Sequence, residues 1–367
     1  MKKSTIILIF LTGLTLSLNA QWQSLNFPAG NTITGLASQV DNFYIPYVEV
    51  YVSTYGNGVL VWENTPPWFT INNGLSNLNI FSLTTSESGH SAGTDGTGVF
   101  QEPFGLFGWY TSNNGISEYI VGSVAADQHD TIIAGTSGGG VCILTGWLGT
   151  WSRITDLLWI KSVYKYGKYI YYSDFSNELF ISPDNGTTWN KIDAVHNVTA
   201  LAMIGDTLFE GTDNGLFRSP DYGSTWSEVS LFSGSPIQCL SVYGTTIFAG
   251  INGGIYSSRN FGDDWRNISD NITGLNIGFI SINDSTIYVE ASNDIWGRLK
   301  TDVINGSSEH HADNNVAIYP NPATEIITVR SNLKKPGIVN IYDDLGRLIK
   351  TEPLSQNKQQ IKVGDLT

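Results

Sequence analysis

From Trp22 to about Arg298 the chain is built of short runs in which apolar and polar residues alternate. Each run is closed by Gly, Asn, Asp or Ser. Val198-Thr-Ala-Leu-Ala-Met-Ile followed by Asp206-Thr-Leu-Phe-Glu-Gly-Thr shows the form. Period-two alternation between turn residues predicts strands with one buried face. A glycine-led apolar run follows each such pair: Gly58-Val-Leu-Val, Gly98-Val-Phe, Gly140-Val-Cys-Ile, Gly215-Leu-Phe-Arg and Gly254-Ile-Tyr-Ser, with Glu178-Leu-Phe-Ile in the remaining unit. A tryptophan then opens one more short run, as in Trp68-Phe-Thr-Ile, Trp151-Ser-Arg-Ile and Trp226-Ser-Glu-Val. Each unit therefore predicts four strands, here a, b, c and d.

The unit repeats. Tryptophans recur at 68, 109, 151, 189, 226 and 265, at intervals of 37–42 residues. Four antiparallel strands on a period of about 40 residues are the sequence form of a β-propeller blade. The two ends of the array complement each other. After Trp265 an a-b-c set (Ile277-Gly-Phe-Ile-Ser-Ile, Ser285-Thr-Ile-Tyr-Val-Glu, Asp294-Ile-Trp-Gly) lacks a d strand. Trp22-Gln-Ser-Leu is a d strand with nothing before it. Joining them gives an all-β, seven-bladed propeller over residues 21–300, its last blade closed by the N-terminal strand. Closure also removes the exposed sheet edges of an open array.

Composition agrees with this reading and narrows the partners. Only 14% of the 367 residues are charged, while 39 are glycine and 12% are aromatic, which suits short, tightly turned strands and argues against a helical bundle. The formal charge of −14 disfavours nucleic acid as a partner. Cys142 and Cys239 are too few for a disulfide framework. Lys2 and Lys3 precede an apolar stretch from Ile6 to about Leu18, with Ala20 as the residue before cleavage, so residues 1–20 read as a signal peptide. No later stretch is apolar enough to span a bilayer as a helix, and the mature protein is expected to be exported.

The turns between c and d carry a motif. Ser182-Pro-Asp184-Asn-Gly186-Thr-Thr188-Trp189 and Ser219-Pro-Asp221-Tyr-Gly223-Ser-Thr225-Trp226 are near-identical, and Ser258-Arg-Asn260-Phe-Gly262-Asp-Asp-Trp265 is a looser copy. A short carboxylate or amide can fold back on backbone N–H groups ahead of it, and glycine supplies a positive φ. The tryptophan is expected to plug the space between neighbouring sheets. The motif resembles the Asp-box, or BNR, repeat, and the likeness covers about residues 22–298. The chain is similar to the sortilin, photosystem II assembly-factor and xyloglucanase-type propellers, and more distantly to the sialidases. The resemblance implies a structural role for Ser182, Asp184, Gly186 and Trp189, for Ser219, Asp221, Gly223 and Trp226, and for Ser258, Asn260, Gly262 and Trp265, on the rim away from the usual ligand face. The other units keep the tryptophan but lose the Asp and Gly.

Composition shifts after Arg298. Residues 301–315 are polar and read as a linker, and alternating runs in 316–367 predict a small C-terminal β-sandwich. Tyr319-Pro-Asn-Pro-Ala followed by Ile341-Tyr-Asp-Asp-Leu-Gly-Arg resembles the C-terminal sorting domain of the type IX secretion system. That likeness implies the secretion machinery as a partner, passage through the periplasm, and an extracellular or cell-surface destination. The family continues beyond Asp-Leu-Thr with a Gly-x-Tyr strand. The sequence stops at Thr367, so a fragment or an impaired signal is expected.

Searching for chemistry returns little. The five histidines have no metal-ligand spacing beyond the adjacent His310-His311, and neither a metal nor a cofactor is expected. The sialidase relatives clamp a carboxylate with three arginines. Here Arg153, Arg218, Arg259, Arg266 and Arg298 all fall on the outer strands or the c–d turns. A glycoside hydrolase needs two well-separated carboxylates, and Asp95, Asp174 and Asp213 near b–c turns are the candidates. Trp159, Tyr172, Asn73 and Asn114 are candidate ligand contacts, because rings with amides suit sugars and peptides. The leading expectation is a non-catalytic binding or scaffold module for a glycan or protein partner. The alternative is a hydrolase using channel carboxylates.

Overall fold

A computed structural model describes residues 21–305 apart from 42–46, 64, 105–107, 128, 157 and 193–196, together with the backbone of five strands between 316 and 362. The expected signal peptide, residues 306–315 and the Pro320–Ala323 segment lie outside the described residues. The chain divides into two compact units, Met1–Asn305 and Gly306–Thr367.

The first unit holds seven four-stranded antiparallel sheets. Six are contiguous in sequence, each running a-b-c-d from the channel outward. The seventh pairs Ile277–Ile282, Thr286–Ala291 and Asp294–Leu299 with Gln23–Ser24, in the register Gln23↔Gly297 and Ser24↔Trp296. The ring is thus a seven-bladed propeller closed by its N-terminal strand. Because strands alternate in direction, b–c turns and d–a loops share one face, and a–b and c–d turns share the other.

The b strands are the most buried elements. Gly89–Thr94, Thr207–Thr212 and Thr286–Ala291 are buried at every position. They lie mid-sheet with neighbouring blades on both faces, so their sequences read as continuous rather than alternating. Every a–b ladder slips by one residue near the start of the a strand, at Ile33/Gly35, Ile80/Ser82, Val121/Ser123, Ile160/Ser162, Val198/Ala200, Ile237/Cys239 and Ile277/Phe279. A bulge re-aims the skipped side chain. Thr199 uses this to donate to Ile237 O of the next blade, at 2.7 Å. Lys161, the skipped residue in blade four, reaches into blade five instead, donating to Asn197 Oδ1 at 2.7 Å and Val198 O at 3.2 Å.

The tryptophans lock blade to blade by a repeated rule. The indole N–H of one blade donates to the carbonyl three residues beyond the tryptophan of the blade before it. The pairs are Trp68 to Leu25, Trp109 to Ile71, Trp151 to Ser112, Trp189 to Ile154 and Trp22 to Ile268, at 2.7–2.9 Å. Two blades depart from it. Trp265 donates to Gly262 O in its own turn, and Trp226 Nε1 is buried without a partner among the described residues. Trp22, Trp109 and Trp151 are fully buried, whereas Trp189, Trp226 and Trp265 are half-exposed.

Thr301–Asn305, the start of the expected linker, forms a single π turn after the last blade, and Val303 is buried against the cluster that holds Trp22. Both cysteines are free thiols, with Cys142 buried and Cys239 half-buried. The second unit contains a three-stranded sheet of Val316–Tyr319, Ile326–Ser331 and Lys358–Lys362, and a hairpin of Gly337–Tyr342 with Leu348–Leu354.

Candidate functional site

The d–a loops begin by capping the neighbouring c strand. Asn72 Oδ1 accepts from Val59 N–H and its amide donates to Asn57 O. Asn113 repeats both bonds with Val99 and Thr97, and the hydroxyls of Thr155 and Ser269 take the acceptor role in blades three and six. Much of the amide richness of these loops is therefore spent on the fold. Of the candidate contacts, Asn73 and Asn114 accept from Trp109 N–H and Trp151 N–H, both at 2.8 Å, and Asn114 also donates its amide to Thr150 Oγ1. Both residues are exposed, and the bonds from the tryptophan N–H groups go to their backbone carbonyls.

Tyr172, expected as a candidate ligand contact, is packed inside its blade. It is buried, stacked on Phe180 with centroids 4.8 Å apart and set edge-on to Trp189 at 4.9 Å. Burial, followed by the nearby carboxylates Asp174, Asp156 and Glu178, pushes its hydroxyl up to about 12. Trp159 is the opposite case, with 64% of its surface exposed.

Trp159 stands in a row of exposed rings and aliphatic groups on the face of the b–c turns. Single backbone bridges between blades order the row: Tyr55 pairs with Asn79, Asp95 with Ile120, and Ser137 with Trp159. Tyr55 is 47% exposed, Tyr119 49%, Ile120 42% and Phe175 64%, so the apolar groups are presented rather than packed. The row runs from Tyr55 in blade one, through Asp95 and the Tyr119–Ile120 pair, to Trp159 and Phe175 in blade four. Phe175 N–H donates to Trp159 O at 3.3 Å, which sets the last two beside each other. Tyr119 and Phe175 were not legible as site residues. Their signal was a bulky ring beside a turn, which is equally the mark of a core position.

The three candidate carboxylates share this face but not one pocket. Asp95 Oδ2 accepts from Tyr55 O–H at 3.3 Å. Asp174 Oδ1 accepts from the N–H groups of Ser176 and Glu178, both at 2.9 Å, and so closes its own turn. Asp213 is exposed.

The Ser-x-Asp-x-Gly turns occupy the other face. Ser182 Oγ donates to Asp184 Oδ1 and accepts from Gly186 N–H, while Asp184 accepts from Thr188 N–H and Thr188 Oγ1. Ser219, Asp221, Gly223 and Thr225 repeat every bond. Ser258, Asn260 and Gly262 keep the core of the pattern, with Asp264 in the place of the threonine. The bonds from the Thr188 and Thr225 amides lead the causes that hold Asp184 and Asp221 below the usual carboxylate range. Gly186 and Gly223 sit at φ +90° and +93°, and a Cβ at Gly223 would meet Ile192 Cδ1 at 2.8 Å.

Two further features were not foreseen. On the c–d face between blades one and two, buried Glu49 accepts from Tyr51 O–H at 2.7 Å and from Gln39 Nε2 at 2.5 Å, and it stands opposite Glu63 in the ladder. Burial and the Glu49 charge raise Glu63 and push Glu102 up to about 7. His90 is wholly buried against the Tyr51 ring, at 3.8 Å, and desolvation holds it neutral, down to about 3. The second feature is a cavity of about 510 Å³ bounded mainly by the a strands of blades two to six, with Ser123, Tyr164, Lys165 and Met203 among its lining. Lys165 is buried there and paired with Asp127 at 3.0 Å.

Residues 317–367 match the secretion system C-terminal sorting domain family. No curated relative matches by sequence. Among solved structures, YCF48 from Cyanidioschyzon merolae is similar over 78% of this chain and 100% of its own, with 14% identity and a TM-score of 0.56. PorZ, a surface component of the type IX secretion system of Porphyromonas gingivalis, is similar over 92% of this chain and 55% of its own (15% identity, TM-score 0.55). The extracellular domain of BT4673 from B. thetaiotaomicron is similar over 84% of this chain and 44% of its own (15% identity, TM-score 0.58). At such identities the likeness is one of fold. The chain is a seven-bladed β-propeller followed by a C-terminal region that matches the secretion system C-terminal sorting domain family.

Proposed function

We propose that this chain is an exported binding module that engages a cell-surface or secreted partner through the row from Tyr55 to Phe175. The sorting domain implies handling by the type IX secretion system and a destination outside the cell. One observation carries the binding reading. Large rings of blades one, three and four stand exposed along the face that the blade-to-blade bridges order, with Trp159 and Phe175 each 64% exposed. Scattered exposed apolar groups are ordinary, but a contiguous row on one face marks an interaction site. The c–d turns on the other face then serve the fold.

Capture of surface glycans and outer-surface proteins by the mature chain, compared with a Trp159→Ala/Phe175→Ala variant, tests the reading. Loss of the captured ligand with an unchanged melting curve is expected, and retained capture overturns it. The hydrolase reading predicts turnover of xyloglucan, another β-glucan or a sialoside that Asp213→Asn abolishes. That result would replace a binding module by an enzyme.

A further inference from the structure

We infer that the occupant of the row is a cationic, extended polypeptide segment bearing lysine or arginine between apolar side chains. This rests on the binding reading and adds the chemistry of the partner. Carboxylates flank the row along its length. Asp95 sits between Tyr55 and Ile120, Glu118 precedes Tyr119, Asp156 lies in the loop before Trp159, and Asp174 precedes Phe175. Glu118 and Asp156 are exposed, and none of the four is in an ion pair among the described residues. Lys161 is held by three neutral oxygens, those of Asn177 in its own blade and of Asn197 and Val198 in blade five. Glu178, a further carboxylate on this rim, is already paired with Lys191.

The row is therefore aromatic and flanked by four carboxylates that no ion pair among the described residues neutralises. Such a surface raises the local concentration of cations and repels anionic chains. Ammonium and guanidinium groups gain twice here, from the carboxylates and from the faces of Trp159, Tyr119 and Tyr55. A neutral glycan would use the rings but gain no net attraction from the charges. An extended segment fits the form of the site, because anchors spaced from blade to blade along a rim need a ligand with side chains along its length.

Titration calorimetry on the mature chain tests this with three probes: a short peptide of alternating lysine and leucine, its glutamate–leucine counterpart, and a xyloglucan oligosaccharide. The lysine peptide should bind, weaken with added salt, and lose about tenfold in affinity with Trp159→Ala. Glu118→Gln/Asp156→Asn should weaken it about fivefold, whereas the equally charge-changing Glu87→Gln/Glu228→Gln, away from the row, should leave it within about twofold. Equal losses in both charge pairs would reveal unspecific attraction and overturn the inference. Binding of the oligosaccharide through Trp159, unaffected by Glu118→Gln/Asp156→Asn, would also overturn it while sustaining the binding reading. Indifference of every probe to Trp159→Ala would sink both.

Discussion

The indole N–H of Trp22 donates to the carbonyl oxygen of Ile268, 2.8 Å away and 246 residues later in the chain. Around it, Trp22 N–H donates to Asn271 Oδ1 and the Asn271 amide returns a bond to Trp22 O, both at 2.9 Å. Arg298 donates to the same Ile268 carbonyl, pairs with Asp270, and lies over the Trp22 ring. The first strand of the described chain is thus clasped by the last two blades. Leu25 and Phe27 add buried side chains to the seam with blade one. Deleting residues 21–27 removes three buried side chains and a strand, and should cost about 5 kcal/mol or more. Thermal unfolding checks this, and an unchanged curve would contradict closure by this strand.

The indole rule gives a comparison between two like residues. Trp151 is buried and donates to Ser112 O, whereas Trp226 is half-exposed and its N–H has no partner among the described residues. Phenylalanine keeps an aromatic ring at the site but loses the donor together with part of the indole's bulk. Trp151→Phe leaves a buried carbonyl short of its donor and should cost about 1–2 kcal/mol, while Trp226→Phe should cost under about 0.5 kcal/mol. Denaturant midpoints of the two variants decide it. Equal losses would mean that the ring, rather than the hydrogen bond, sets the contribution of these tryptophans.

The count of blades was legible because it rests on local signals repeated along the chain, and the closure because its two ends carry complementary parts of one unit. Alternation, the glycine before strand c and the tryptophan after the turn need no knowledge of distant contacts. The binding row was only partly legible. Trp159 and Tyr172 both stand in the aromatic run of blade four, and nothing local distinguishes them. What separates them is tertiary. Tyr172 lies on a b strand, where both faces meet other sheets, and Trp159 precedes the a strand at the rim. The carboxylates around Glu49 were invisible for a similar reason. Glu49 and Glu102 belong to different sheets, and only the blade interface makes their charges neighbours.

That interface makes stability depend on pH. Glu102 has its folded pKa raised from an ordinary 4.5 to about 7, through burial and then the charge of Glu49. The folded state therefore holds a proton that the unfolded state releases. The contribution is fully present below about 4.5 and is lost as pH rises through about 7. Solvent screens this half-buried group, so the loss should be about 1 kcal/mol rather than the full linkage value. Glu102→Gln keeps the shape and cannot ionise. Its stability relative to the native protein should rise between pH 5 and pH 8 by about that amount and then level off. Denaturant titrations of both proteins across this range give the answer. Parallel profiles would mean that Glu102 ionises freely in the folded state.

Exposure makes opposite predictions for the two rings that the sequence treated alike. Trp159 and Phe175 are each 64% exposed, so replacing either by alanine forfeits little burial and should shift stability by less than about 0.5 kcal/mol. Tyr172 is 3% exposed and packed between Phe180 and Trp189, and Tyr172→Ala should cost about 3–5 kcal/mol through the cavity it leaves. Melting curves of the three single variants test the division. A protein that tolerates alanine at 172, or unfolds early with alanine at 159, would reverse the roles assigned here. It would also return Tyr172 to the ligand face and leave the exposed row without one of its two most exposed rings.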